Sequence, residues 1–226
     1  MTESNVRPGV LAVWNSRDDG IAELYEDWYI NQHFPERVGL PGWQFGRRFE
    51  AVDAATPFFT YYHLATTSAA FSGAYLARLN APTPETVTVM RNWADMTRTC
   101  CDIALERGET SGALAVVARF YTTPDMCALT CIAESLWMSG QRADGLRRAW
   151  PLRVQLWQMA EMEAPQTNER DVRSEPDREV QATLVVDVMR EREAQQVRAA
   201  LSDALVRAEL APDYIDIYRL LGERRS

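Results

Sequence analysis

Lysine is absent: all 24 basic residues are arginine. GC-rich coding accounts for such a bias, but the chemical consequence stands. No Schiff-base nucleophile, pyridoxal-phosphate anchor or Walker-type phosphate loop can be built. Histidine is nearly as scarce, with only His33 and His63. A three-histidine zinc site is excluded, and a mixed site needs carboxylates or thiolates to complete it. Cysteine is limited to Cys100, Cys101, Cys127 and Cys131, with no CxxC pair. Cys100 and Cys101 are adjacent, so on a strand they point to opposite faces. Cys127 and Cys131 are four apart and share a helix face. All four read as small buried hydrophobes, with no metal site and, in a reducing compartment, no disulfide.

No apolar run approaches the roughly 20 residues that cross a bilayer. Residues 1–8 are polar and lack the apolar stretch of a signal peptide. The expected location is the cytoplasm, with no membrane partner. A formal charge of −8 argues against nucleic acid, because phosphate binding needs a surplus of basic residues on one face. The charge reads instead as solubility. The 226 residues suffice for two units of about 100 residues each.

The order of elements supports two units. A strand over 9–16 is followed by a turn at Asp18-Asp19-Gly20. Ile21, Leu24, Tyr25 and Trp28 then show the i, i+3, i+4, i+7 spacing of an amphipathic helix. Pro35 is expected to end that helix, since the residue before a proline is pushed out of the helical region, and can also open a short further turn through Glu36, Arg37 and Val38. Pro41-Gly42 marks a turn. Strands follow over 43–52, with Gly46 as a bulge or close-contact point, and over 58–66. Ser68 is expected to cap a helix running to Leu79. Residues 85–96 fit a short helix or a loop, and 97–109 a last strand. The order recurs: strand 112–122, helix 125–139, strand signal in 146–161, strand 179–189, helix 190–210, strand 213–221. Residues 163–178 carry two prolines and many charges, and read as a long solvated loop.

Twice β-α-β-β-α-β implies an α+β fold of two tandem ferredoxin-like units, 1–109 and 110–226, packed sheet to sheet as an intrachain α/β barrel. The enclosed space is the expected ligand site. The duplication allows a monomer with an internal pseudo-dimer. Free sheet edges also allow a homodimer.

One segment concentrates chemistry: Glu26-Asp27-Trp28-Tyr29-Ile30-Asn31-Gln32-His33-Phe34-Pro35-Glu36-Arg37. Pro41-Gly42-Trp43, Gly46-Arg47-Arg48-Phe49, Tyr61-Tyr62-His63-Leu64 and Ser72-Gly73-Ala74-Tyr75 follow it. Over residues 10–98 this series resembles the EthD-like group of the dimeric α/β-barrel superfamily. Members show a helix with Trp, Tyr, Asn and His, a Pro-Gly-aromatic turn, an Arg-rich strand and a Tyr-bearing strand. The second half matches in element order only. The resemblance implies the barrel fold and a small-molecule site in the first unit. The superfamily spans cofactor-free oxygenases, lactone isomerases, cyclases and haem-using enzymes.

His33 is expected at a helix C-terminus, where the helix dipole favours imidazolium and burial opposes it. An imidazole so balanced exchanges protons near neutral pH. Its structural alternative is a cap bonded to a backbone carbonyl. Arg37 and Arg48 are candidates to hold an anionic oxygen; the alternative is an ion pair with Asp27 or Glu36. Tyr29 and Tyr62 are placed to donate to a developing oxyanion, or are core. Trp28 lies centrally on the apolar stripe, and Asn31 is placed to orient His33 or the ligand. The expected enzyme has His33, Arg48 and Tyr62 as catalytic groups and Trp28, Tyr29, Asn31 and Arg37 as binding groups. It needs no metal or cofactor, and acts by acid/base chemistry on an oxygenated aromatic or polyketide-like compound. The alternatives are a non-catalytic binding protein and a haem protein with His33 as axial ligand.

Overall fold

The computed structural model describes residues 7–140, 150–162, 165–173 and 175–226. The expected features over 1–6, 146–149, 163–164 and 174 lie outside the described residues. The elements are β1 (Gly9–Arg17), α1 (Ala22–Trp28), α2 (Phe34–Val38), β2 (Trp43–Asp53), β3 (Phe58–Leu64), α3 (Gly73–Leu79), α4 (Pro84–Arg91) and β4 (Trp93–Arg107). The second half adds β5 (Leu114–Phe120), α5 (Met126–Ser139), β6 (Arg153–Met159), α6 (Asn168–Val172), β7 (Ala182–Val188), α7 (Glu191–Arg207) and β8 (Tyr214–Arg225).

All eight strands join in one closed antiparallel barrel. The first half contributes the order β4-β1-β3-β2 and the second β6-β7-β5-β8. β2 pairs with β8 and β4 with β6, so neither half keeps an open edge there. These cross-half pairings set strand length. β8 runs to Arg225 because its last residues pair with Phe45 and Gly46 of β2.

Side chains alternate across the strands and divide the apolar residues into three layers. The barrel interior is filled by Trp14, Phe49, Phe59 and Tyr61 of the first half with Trp157 and Tyr218 of the second. Outside it, one layer lies between the first-half strands and α1–α4. The other lies between the second-half strands and α5 and α7. The middle of the barrel is therefore packed aromatic core, and the spaces between strands and helices are separate from it.

Several sequence expectations need correction. Pro35 does not end the first helix. A π turn over Tyr29–His33 lets the Phe34 amide donate to the Tyr29 carbonyl, and α2 continues with Pro35 in its first turn, where no N–H is needed. Ser68 does not cap a long helix; residues Thr67–Phe71 form a 3-10 turn, and Ser72 caps α3 by accepting from the Tyr75 amide. Cys127 and Cys131 share a face of α5, but it is the exposed one. Cys101 enters the barrel core while Cys100 faces the helix layer. All four thiols are unbridged. The charged stretch after β6 is only in part a solvated loop: Gln166, Glu175 and Pro176 are exposed, but Asn168–Val172 form α6, capped by Thr167, with Glu169 buried.

Candidate functional site

The π turn sets the geometry. It adds a residue to one turn of helix and brings Tyr29, His33 and Arg37 onto the buried face together. His33 is packed between rings, with centroids 4.2 Å from Trp28, 5.1 Å from Tyr29 and 6.4 Å from Tyr62. It makes no hydrogen bond to any described residue. It is not a carbonyl-bonded cap, and it does not end a helix. Burial, then Arg37, Arg48 and Arg78, hold its pKa well below the usual imidazole value. The ring is neutral at neutral pH, which corrects the expected balance with a helix dipole.

β3 brings Tyr62 beneath α1 and α2. Tyr62 faces the helix layer, and its neighbour His63 faces the barrel. The Tyr62 hydroxyl, beside that of Tyr29, has no well-formed hydrogen bond, and burial pushes its pKa well up. Tyr29 instead donates to Thr60 Oγ1 at 2.9 Å. Gly46 lies opposite Tyr62 in the β2–β3 register, and a Cβ there would sit 2.9 Å from the tyrosine ring and 3.1 Å from Phe34. The absent side chain lets the phenol lie flat under the helix. Gly46→Ala is therefore expected to cost about 1–3 kcal/mol by overpacking, read as a lower urea midpoint.

Arg37 reaches inward from α2. Its Nη2 donates to both carboxylate oxygens of Glu169, at 2.5 and 2.7 Å, while Nη1 is buried without a partner. The partner is neither Asp27 nor Glu36; it comes from α6 of the second half. Arg48 pairs through both terminal nitrogens with Glu26 and lies 4.4 Å from the Tyr29 ring centroid. Trp28 donates to Thr86 Oγ1 at 3.0 Å, so it braces α1 on α4 behind His33. Asn31 is exposed and donates to Asp27 one turn back.

His33, Tyr62, Arg37 and Glu169 line a cavity of about 30 Å³, walled by Trp93 and Met96. That volume holds a water molecule. Trp28, Tyr29 and Arg48 stand behind its lining, and Asn31 lies away from it. Glu169, Arg98 and Tyr75 are lining residues that sequence reasoning missed. Thr167 followed by Glu169 and Asp171 carries the cap and first-turn acid signal of a short helix, but nothing local shows where that helix docks.

The barrel mouth holds a second polar group. Arg153 bonds Asp187 at 2.8 Å and the Tyr61 hydroxyl at 2.6 Å; Arg47 bonds Tyr61 and Glu223. His63 stacks on Phe45 beside them. The charges pair with one another, but His63 Nδ1 and Asp187 Oδ1 are buried without a partner, and Arg47, His63 and Arg153 line a cavity of about 460 Å³ at that end of the barrel. Among the described residues no group of three or more His, Cys, Asp or Glu is placed to hold a metal. No helix among them is long and apolar enough to cross a membrane.

A haem needs a site of about 300 Å³ or more. With α6 in place, the space in front of His33 does not fit one.

No family model and no curated protein matches the chain. Solved structures do. An anthrone oxidase-like protein aligns over 98% of this chain and 94% of its own length, with TM-score 0.62 and 11% identity. A protein provisionally named a monooxygenase, from Fusobacterium nucleatum subsp. nucleatum ATCC 25586, aligns over 98% and 96%, with TM-score 0.60 and 9% identity. A protein provisionally named a chlorite dismutase aligns over 96% and 95%, with TM-score 0.55 and 10% identity. Over essentially its whole length, the chain shares the fold of these structures, here a closed eight-stranded antiparallel barrel flanked by helices.

Proposed function

We propose that the chain is a small-molecule enzyme whose site is the cavity between α1–α2 and the first-half strands, enlarged to admit substrate when α6 is displaced from it. Its scaffold is a tandem pair of ferredoxin-like units, divided near residue 110, of EthD-like type in the first unit. The shared element order and matching strand orders of the halves support that reading. One observation carries the function: two buried polar atoms without a hydrogen-bond partner among the described residues, the Tyr62 hydroxyl and Arg37 Nη1, converge on one cavity that the His33 ring also lines. Unpaired buried polar groups are costly, and their convergence marks a place for a ligand.

Neutral His33 takes an acidic C–H or O–H proton from an oxygenated aromatic or polyketide-like substrate. Tyr62 and Arg37 donate to the oxygen that gains the charge. The imidazolium and oxyanion arise in the same step and stabilise each other, which offsets the low basicity of the buried ring. A carbanion so formed is the species that adds dioxygen in an oxygenation, or is reprotonated elsewhere in an isomerisation. Oxygenation is placed first, because neighbours of this fold are named as monooxygenases and an anthrone oxidase-like protein. Arg48 acts by positioning: it fixes Tyr29 and Glu26 on α1. The chemistry requires no metal or cofactor, and cytoplasmic location fits it.

The test is turnover of quinol-type and hydroxyaromatic compounds under air, followed by product mass and oxygen uptake. His33→Ala is expected to lose about 10²–10⁴-fold in turnover with binding retained. Tyr62→Phe should lose about 10²-fold or more. Ligand bound without product in either protein would make this a binding module. A Soret band in the purified protein would return the haem reading.

A further inference from the structure

Glu169 comes from a weakly held segment, yet its carboxylate is as buried as Arg37, with side-chain exposures of 6% and 3%. Burying a carboxylate is costly unless a partner meets it. Here the partner belongs to the first half and is fixed by α2, while the acid arrives on a five-residue helix. The helix is held mainly by polar contacts. The Asn168 backbone and side-chain amides donate to Asn80, at 3.1 and 2.7 Å, and Arg173 pairs with Asp177 at 2.7 Å. Val172 is its one apolar contribution to the layer beneath α1–α4. Segments with so few apolar contacts are the first to open.

α6 also divides space. On one side is the cavity of about 30 Å³ facing His33, beside it another of about 30 Å³, and outside it one of about 280 Å³. Arg98 lines all three. Its guanidinium donates to the Tyr75 hydroxyl at 3.0 Å and forms no ion pair among the described residues. With Glu169 withdrawn, Arg37 and Arg98 face the joined space without carboxylate partners, since Arg48 and Arg173 keep theirs. Most of the remaining wall around His33 is apolar or aromatic: Leu11, Val13, Tyr62, Trp93, Met90 and Met96.

We propose that α6 is a displaceable stopper, and that the Glu169 carboxylate stands in for the carboxylate of the true ligand, an aromatic acid. This rests on the reading of the cavity as a ligand site and goes further by naming the ligand class and the group on α6 that it replaces. The incoming carboxylate takes the Glu169 position on Arg37, its ring lies against Trp93 and Tyr62, and α6 moves outward. While α6 is seated, apparent affinity is reduced by the fraction of molecules that are open.

The test uses the full chain and binding alone, so it is independent of turnover. The probe is 1-naphthoate, with 1-naphthylmethanol as its uncharged counterpart, titrated by calorimetry. Glu169→Gln is expected to bind naphthoate about tenfold or more tightly than the parent, with the alcohol unchanged. Asn168→Ala, which leaves Arg37 and Glu169 intact, should move affinity the same way by a smaller factor. In the parent protein, saturating naphthoate should speed hydrogen exchange at the Asn168 and Asp171 amides. Equal binding of acid and alcohol, or exchange at these amides unchanged at saturation, would overturn the proposal. Naphthoate binding of the expected pattern with no turnover of any substrate would leave this proposal standing and remove the catalytic one.

Discussion

Phe59→Ala should lower the unfolding free energy by about 3–5 kcal/mol, the range for truncating a large aromatic in a packed core. Phe59 is fully buried at the centre of the barrel. It stacks on Trp14 at 4.7 Å and on Phe49 at 5.3 Å, both from its own half. It also meets Trp157 at 6.3 Å and Tyr218 at 5.4 Å, both from the other half. The cavity left behind is bounded by rings from four other strands, β1, β2, β6 and β8, which cannot all move in to fill it. The variant also tests how the halves are joined. If the shared aromatic layer couples them, urea unfolding followed by tryptophan fluorescence and by far-UV circular dichroism will coincide in both proteins. A loss under about 1 kcal/mol, or two separated transitions in the parent, would mean that the layer is not the common core.

The strands were legible because their apolar, β-branched and aromatic runs lie between clear turn signals. What could not be read was which way each strand faces. Residues 62 and 63 must point to opposite sides, but β3 is buried on both faces, so no polar alternation shows which side is the barrel. The interior was therefore expected to hold the ligand, whereas the cavity near His33 lies on the other face. Pro35 misled for a related reason. A proline reads as a stop, and a π turn that absorbs it leaves no mark in composition. Arg37 was read as the holder of an anionic oxygen or as the partner of Asp27 or Glu36, but the carboxylate it meets lies 132 positions away, in a stretch whose charges read as solvated. Asn31 shows the opposite case. Its bond to Asp27 is an i, i−4 contact, which sequence spacing alone makes the simpler expectation.

Acid should destabilise the fold well before its carboxylates titrate. Both histidines are buried and neutral. Burial, then Arg153 and Arg47, pulls the His63 pKa down to about 4, and burial with Arg37, Arg48 and Arg78 pulls His33 below its ordinary value. Unfolded, each imidazole takes a proton near pH 6.5. Between that value and the folded pKa the unfolded chain binds more protons, so stability is full above pH 6.5 and falls as pH drops. Each such group contributes a slope of about 1.4 kcal/mol per pH unit. For His63 the loss accumulates to about 3 kcal/mol by pH 4, where its folded form begins to protonate and the slope ends. His63→Phe keeps a ring against Phe45 and removes the titration. Its stability curve, from urea unfolding at pH 7.5, 6.5, 5.5 and 4.5, should be flatter than that of the parent, and His33→Phe should flatten the remainder. Parallel curves for all three proteins across that interval would show that neither ring is held neutral by the fold, and would remove the basis for a proton-accepting His33 at neutral pH.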